Sequence, residues 1–298
     1  VSGPGAPEPA PALDPDHPLF GLGYAQPVAA RAFIHMSGDA AEPASATIAE
    51  ETPVALAYNG RPHVVMMCTP ADIEDFALGF TLTEEIVASP ADVMAIRAAR
   101  YSGGIDVAIA IPAGAAEALE GRGRSLVGRT GCGLCGVTTI GDALRASSNV
   151  RGGAAFAPGA IYRAAEELSA LQAFNAGTNA VHAAGWALPD GRVIAAREDV
   201  GRHNALDKLI GAMVRDGVDP RAGFAVVTSR ASYELVQKCA VVGIALLAAI
   251  SRPTGLAIRM ADAAGITLAG LVRGQTANVY SHPQRLGLER PASSAGRA

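Results

Sequence analysis

What the sequence lacks narrows its function first. It has no excess of basic residues: 24 Lys and Arg stand against 28 Asp and Glu, a formal net charge of -4 at pH 7. Nucleic-acid-binding domains usually carry a basic face, so no nucleic-acid partner is expected, although a local basic site for a small anion is compatible with this balance. There is also no long apolar run. The most hydrophobic stretch, residues 240–250 (AVVGIALLAAI), falls well short of the roughly 20 residues a membrane-crossing helix needs. It suits a buried strand with its flanking turns, and no membrane partner is expected. Residues 1–24 lack the basic start and continuous apolar core of a secretory signal and read as a disordered tail, as do residues 289–298. The expected location is cytoplasmic. With four cysteines in 298 residues and no sign of export, a disulfide framework is not expected. A glycine-rich dinucleotide fingerprint and a Walker A loop are both missing, which argues against an ordinary NAD or ATP site. No repeat of fixed period is present.

What is there is a chain with 50% hydrophobic residues, ample for one large domain or two ordinary ones. Residues 54–58 and 63–67 flank Asn59-Gly60, a dipeptide suited to a tight hairpin turn. Thr69-Pro70-Ala71-Asp72 then reads as a cap residue, a proline at the first helical position and an acid in the first turn. The helix it opens carries Ile73, Phe76, Ala77 and Phe80 on one face. A second hairpin joins 93–99 to 105–111. Residues 25–145 thus read as an α+β domain. Farther on, strand-like runs at 193–196, 224–227, 245–250 and 266–271 alternate with helical segments at 203–214, 232–240 and 254–264. That rhythm implies a parallel sheet with helices on its faces, an α/β domain over 146–288.

Two cysteines stand out. Gly128-Arg129-Thr130-Gly131-Cys132-Gly133-Leu134-Cys135-Gly136 places two thiols three positions apart among four glycines. Glycine supplies backbone freedom at an entropic cost, so such a run suits a mobile loop that carries a thiol between partners. Arg129 favours the thiolate, the nucleophilic form, which can take up a sulfur as a persulfide and release it. Three other readings stay open. A zinc site would need His182 or His203 to complete a ligand set for which no second cysteine pair exists. A thioredoxin-like motif should follow a strand and open a helix. The loop could also be purely structural. Cys68 and Cys239, alone in apolar or helical contexts, read as buried fillers.

Arg197-Glu198-Asp199-Val200-Gly201-Arg202-His203-Asn204 is a dense polar run between a strand and a helix. The plain reading is a solvated loop with Asp199 or Asn204 as the helix cap; loops of this kind also carry function. The helix continues with Ala205, Leu206, Leu209, Ile210 and Met213 facing inward and Lys208 expected in solvent. Three later loops each offer an arginine: Thr228-Ser229-Arg230-Ala231-Ser232, Ser251-Arg252-Pro253-Thr254 and Arg273-Gly274-Gln275. In a parallel sheet all three lie at the carboxyl edge, where such folds bind ligands. Helix N-termini and arginine forks favour phosphate, so a phosphorylated, nucleotide-like ligand is expected. Zinc deaminase chemistry is not, since His182-Ala183-Ala184 has Ala184 where the acid/base glutamate would stand.

These segments together resemble one family, the formate dehydrogenase accessory sulfurtransferases (FdhD). The resemblance runs from about Glu50 to Gln284. It is carried by Glu51-Thr52-Pro53 with Asn59-Gly60, Thr69-Pro70 through Gly79-Phe80, Cys132-Gly133-Leu134-Cys135-Gly136 and His182-Ala183-Ala184. It continues through Glu198-Asp199-Val200-Gly201-Arg202-His203-Asn204-Ala205-Leu206-Asp207-Lys208, Ser229-Arg230-Ala231-Ser232-Tyr233-Glu234 and Asn278-Val279-Tyr280.

The resemblance implies a sulfur relay. A cysteine desulfurase loads Cys132 as a persulfide, with Cys135 assisting. The sulfur then passes to a molybdenum (or tungsten) bis(molybdopterin guanine dinucleotide) cofactor destined for formate dehydrogenase. The cofactor-binding stretch it implies is Leu271, Val272, Arg273, Gly274, Gln275 and Thr276; the arginine loops add Ser229, Arg230, Ser232 and Arg252 as candidates, and the polar run adds His203 and Asn204. A GDP-like nucleotide would mimic the bound cofactor. The family pattern commonly has an aromatic residue where this chain has Leu271 and an arginine where it has Thr276. The resemblance also implies a cytidine-deaminase-like fold for the second domain, without that chemistry, and a homodimer. A second reading, from another class, is a non-catalytic chaperone that binds the cofactor or the dehydrogenase, in which the arginine edge matters and the cysteines do not.

Overall fold

The computed structural model describes residues 26–101, 103–122, 150 and 152–289. Two compact units divide the chain: Val1–Ala146 with Gln172–Ala184 and Arg197–Gly217, and Ser147–Leu171 with Gly185–Ala196 and Val218–Ala298. The units interleave along the sequence, whereas the sequence pattern suggests a single division near residue 145.

The first unit begins with a two-stranded antiparallel ribbon, β1 (Val28–Ser37) and β2 (Ala40–Ala49). Its turn, Gly38-Asp39, has a positive φ at Gly38 (60°), as a type II′ hairpin turn requires at its first central residue. A four-stranded sheet follows in the order β4-β3-β6-β5, built from β3 (Thr52–Tyr58), β4 (Arg61–Cys68), β5 (Ala95–Tyr101) and β6 (Gly104–Ala110). Both expected hairpins are present. Asn59 (φ 48°) and Gly60 (φ 80°) make the tight turn that needs positive φ at both central positions. The Asn59 amide also donates to Ile111 O and accepts from Ile111 N, each at 2.9 Å, tying that turn to the end of β6.

Strand side chains alternate across a sheet, and the register Val54↔Ile105, Leu56↔Val107 and Tyr58↔Ile109 puts all six of these on one buried face. Helix α1 (Ile73–Thr83) covers it with the expected stripe of Ile73, Phe76, Ala77 and Phe80, all buried. Ala115 and Leu119 of α2 (Ala113–Arg122) add to the same core. The start of α1 differs from the sequence reading. The helix begins at Ile73 behind Asp72, whose φ of 53° is left-handed, and no side chain caps it. Thr69 is therefore not a cap; its hydroxyl accepts from Val200 N at 3.1 Å instead.

The second unit is built around parallel strands β9 (Phe224–Val227), β10 (Leu246–Ala249) and β11 (Thr267–Arg273). Their sheet has the order β12-β11-β10-β9-β7-β8, with β7 (His182–Ala187) and β8 (Val193–Asp199) on one side and β12 (Thr276–Ser281) on the other. The sheet is mixed rather than all parallel, because β12 returns antiparallel after a tight turn. Helices α3 (Pro158–Ala170), α6 (Tyr233–Val242) and α7 (Gly255–Ala264) accompany the parallel strands. Between α3 and α6 in chain order come α4 (Asn175–Thr178) and α5 (Arg202–Arg215), which belong to the first unit. Helices α6 and α7 both end on a left-handed glycine, Gly243 and Gly265, where the missing Cβ removes the steric penalty.

Candidate functional site

The parallel register of β9, β10 and β11 brings the three arginine-bearing loops to one edge of that sheet, as the sequence reading expects. Arg230, Arg252 and Arg273 are all exposed there, available to an anion. The loops are tied to one another: Ile250 N donates to Val227 O at 2.9 Å, Thr254 N to Ala231 O at 3.0 Å and Leu271 N to Ser251 O at 3.1 Å. Two ten-residue helices start at this edge, α6 behind Ser232 and α7 behind Thr254. Their N-terminal N–H groups and partial positive charge favour phosphate oxygens. The Thr254 hydroxyl is committed to capping Ala257 N, and the Ser229 hydroxyl donates to Arg230 O.

The end of β11 holds a feature the sequence did not announce. Leu271 has φ 55°, a conformation costing a non-glycine residue about 1–2 kcal/mol. It lies in a bulge, where the pairing steps from Gly270↔Asn278 to Arg273↔Thr276. Bulges re-aim side chains and gather next to sites; this one precedes Arg273. Gly270 is required here, because a Cβ would come within 2.7 Å of Pro253 Cδ and 3.1 Å of Ser251 O. Of the expected cofactor stretch, Val272 is buried, while Arg273, Gly274, Gln275 and Thr276 are exposed.

The polar run 197–204 has a different character: much of it is a buried latch inside the first unit. Lys208 is not in solvent but fully buried, its Nζ 2.6 Å from Asp199 Oδ2, with both side chains at 0% exposure. The ammonium also donates to Thr69 O at 2.9 Å and Glu198 O at 3.3 Å. Asp199 in turn accepts from Thr69 N (3.0 Å), Gly201 N (2.8 Å) and Asn204 Nδ2 (3.0 Å). Burying a charge is tolerable only when it is paired and hydrogen-bonded, and this pair meets both conditions. Helix α5 starts behind Gly201 without a side-chain cap, so neither Asp199 nor Asn204 caps it.

The remaining members of the run anchor neighbouring segments. Glu198 accepts from Phe174 N and Asn175 N, both at 2.9 Å. Asn204, expected at the cofactor, donates to Met67 O at 2.8 Å as well as to Asp199, so its amide nitrogen is used within the fold. His203 is buried. Arg197 Nη2 lies 2.8 Å from Asp75 Oδ2, and Arg215 Nη2 lies 2.7 Å from Asp75 Oδ1. Burial pushes the Asp75 carboxyl above the usual range, and the Arg197 hydrogen bond and the two guanidinium charges oppose that shift. Helices α1 and α5 press together at two glycines. A Cβ on Gly79 would sit 1.8 Å from Asp207 O, and one on Gly211 would sit 1.9 Å from Asp75 O.

Cys132 and Cys135 lie outside the described residues. Cys68 and Cys239 are buried fillers, as expected. Burial pushes the Cys239 thiol up to about 12 and the Cys68 thiol well above its ordinary value. Among the described residues no cluster of His, Cys, Asp or Glu could hold a metal ion. Nor is any helix there long and apolar enough to cross a membrane.

The architecture has a close counterpart among solved structures. A crystal structure of a proposed formate dehydrogenase accessory protein from Desulfotalea psychrophila matches with a TM-score of 0.69 at 22% identity. It covers 87% of this chain and 99% of its own, which identifies the fold as one used by such accessory proteins. In sequence, the model of the FdhD/NarQ family matches residues 49–287. The sulfur carrier protein FdhD of Bordetella petrii is 52% identical over 241 residues, 81% of this chain and 87% of that protein. That of Xanthomonas campestris pv. campestris is 53% identical over 241 residues, 81% of this chain and 86% of that protein. The chain belongs to the FdhD/NarQ family.

Proposed function

We propose that this protein is a sulfur carrier serving formate dehydrogenase, with Cys132 as the residue that bears the sulfur. The observation that carries this reading is the identity above 50% to relatives named sulfur carrier proteins, over a family match that spans the Cys132-Gly133-Leu134-Cys135 motif. In the proposed step the Cys132 thiolate attacks the outer sulfur of a persulfide on a cysteine desulfurase. The donor's S–S bond breaks, the donor cysteine leaves as a thiolate, and Cys132 holds the sulfur as Cys–S–SH. The exchange needs no external oxidant.

The arginine edge supports the second half of the proposal. Arg230, Arg252 and Arg273, beside two helix N-termini, suit the phosphates of a guanine-dinucleotide pterin carrying molybdenum or tungsten, the client cofactor to which the sulfur is delivered. A GDP-like nucleotide would occupy the same edge. The proposal further includes a cytidine-deaminase-like layering for the second unit, a homodimer and a cytoplasmic location.

The test is intact-protein mass spectrometry after incubation with a cysteine desulfurase and cysteine, on the wild type and Cys132→Ala. The expected result is a gain of one sulfur mass that reductant reverses and the variant lacks. An unchanged load on Cys132→Ala would overturn the assignment. No load on either protein, with formate dehydrogenase maturation intact, would favour a non-catalytic cofactor-binding chaperone.

A further inference from the structure

The four-stranded sheet of the first unit has one face packed against α1 and α2. Sheets with their other face in water ordinarily alternate apolar inward and polar outward. This one does not. The outward positions of β3 are Pro53, Ala55 and Ala57, and its pairing sets Met67 beside Pro53, Val65 and Asp106 beside Ala55, and Ala108 beside Ala57. Val65 and Met67 are 55% and 47% exposed. Among the described residues, the charges paired into this face are Asp106 and, opposite Ala108 on β5, Arg97. Burial pushes the Asp106 carboxyl above its usual range. The face is thus a floor of small apolar side chains with two larger ones, Val65 and Met67, at one side.

The chain that precedes β1 arrives beside this floor. Glu50 N donates to Pro27 O at 3.0 Å, which carries the β1–β2 ladder one pair past Val28↔Ala49. Glu51 and β3 follow at once on one side of that contact, Gln26 and the residues before it on the other. From Val54 onward β3 is paired on both edges, by β4 and by β6, so it has no edge left for a further strand. Its other face is filled as well, with Val54, Leu56 and Tyr58 all buried. The open route for an extended chain is over the outward face.

The sequence that arrives there suits it. Phe20-Gly21-Leu22-Gly23-Tyr24 alternates large apolar residues with glycine, whereas residues 1–18 contain no Phe, Tyr or Trp. In an extended chain alternate side chains share one side, so Phe20, Leu22 and Tyr24 line one side of this run and the other side is bare. Counting back from the Glu50–Pro27 contact in the ribbon's own register brings Tyr24 level with Pro53, Leu22 with Ala55 and Phe20 with Ala57. Large residues meet small ones at each step. The reach matches too: Pro27 to Phe20 spans about 23 Å at ~3.3 Å per residue, as does Glu50 to Ala57.

We propose that residues 20–24 form an intramolecular strap on this face. The strap lies extended and antiparallel to β3, with Phe20, Leu22 and Tyr24 over Ala57, Ala55 and Pro53 and against Val65 and Met67. It closes an apolar patch of the kind that otherwise marks an interaction or aggregation surface. The strap lies ahead of the family match, which begins at residue 49, so the inference stands apart from the sulfur chemistry.

The test is photocrosslinking on the full chain with p-benzoylphenylalanine in place of Phe20, using an equal mixture of unlabelled and isotopically labelled protein. Labelling tells links within one chain from links between chains. The expected result is a link within one chain to β3, β4 or β6 on the outward face, lost in Val65→Lys/Met67→Lys. Links elsewhere, links between chains or no link would overturn the strap. A second measurement reads the uncovered face. Deleting residues 1–24 should raise the emission of anilinonaphthalene sulfonate above that of the wild type with an unchanged circular dichroism spectrum, and adding Val65→Lys/Met67→Lys to the deletion should abolish the rise. A deletion with wild-type emission also overturns the proposal. The crosslink decides the matter alone where the deletion lowers stability, because it leaves the sheet intact.

Discussion

Removing the charge of Lys208 is the sharpest perturbation of the first unit. In the wild type the ammonium's three donors are used by Asp199, Thr69 O and Glu198 O. Asp199 keeps three further donors, from Thr69 N, Gly201 N and Asn204. Breaking a buried pair costs about 3–5 kcal/mol, because it strands the other charge. Lys208→Met fills the volume but leaves a carboxylate with three neutral donors, so a cost of about 3 kcal/mol is expected, at the low end of that range. Asp199→Ala strands an ammonium on two carbonyls and frees Thr69 N, Gly201 N and Asn204, so about 5 kcal/mol is expected. For a chain of 298 residues, about 3 kcal/mol corresponds to a Tm drop of about 5 °C. The double variant Lys208→Met/Asp199→Ala leaves neither charge of this pair buried. It should be destabilised by less than the sum of the two singles, and a double-mutant cycle from thermal unfolding measures that coupling. A Lys208→Met protein within about 0.5 kcal/mol of the wild type, the behaviour of a surface lysine, would refute the reasoning.

Two other outcomes follow from the same geometry. Gly211→Ala would place its Cβ 1.9 Å from Asp75 O, forcing α1 and α5 apart and costing about 1–3 kcal/mol or more. Gly159→Ala, with nothing within 4 Å of its Cβ, should be neutral or stabilising by up to ~1 kcal/mol; denaturant unfolding separates the two. In thiol labelling, the Cys239 thiol at about 12 is only ~0.1% thiolate at pH 9, and burial also holds Cys68 in its neutral form. N-ethylmaleimide should therefore modify no more than two of the four cysteines in the native protein from pH 7 to 9, and all four in denaturant. A third reactive thiol in the native state would contradict the burial.

The features legible in the sequence were those fixed by local chemistry. Asn59-Gly60 dictated its turn, Phe224–Val227 was bounded by the strand–helix rhythm, and the arginine loops followed from strand direction. The β1–β2 ribbon was missed, because an exposed hairpin has no burial alternation to read; Gly38-Asp39 between two nearly uncharged runs was the available signal. Helices α2 and α3 and strands β7 and β12 were also passed over, the alanine-rich α2 having almost no amphipathic pattern.

The error at Lys208 has a more instructive cause. Amphipathic reading assumes that a helix has one apolar stripe and one wet one, but in α5 every residue from His203 to Met213 is buried. Asn204, Lys208, Gly211 and Arg215 recur at spacings of 4, 3 and 4, a single helical stripe. Each of them meets the segment from Met67 to Asp75: Asn204 at Met67 O, Lys208 at Thr69 O, Gly211 at Asp75 O and Arg215 at the Asp75 carboxylate. The clue was Gly211, since a glycine inside an exposed helix costs stability, whereas one against another backbone permits close approach. A polar stripe that includes a glycine is thus better read as a helix–helix latch than as a wet face. That reassigns much of the run from Arg197 to Asn204 to architecture, and the proposed function rests instead on the arginine edge and Cys132.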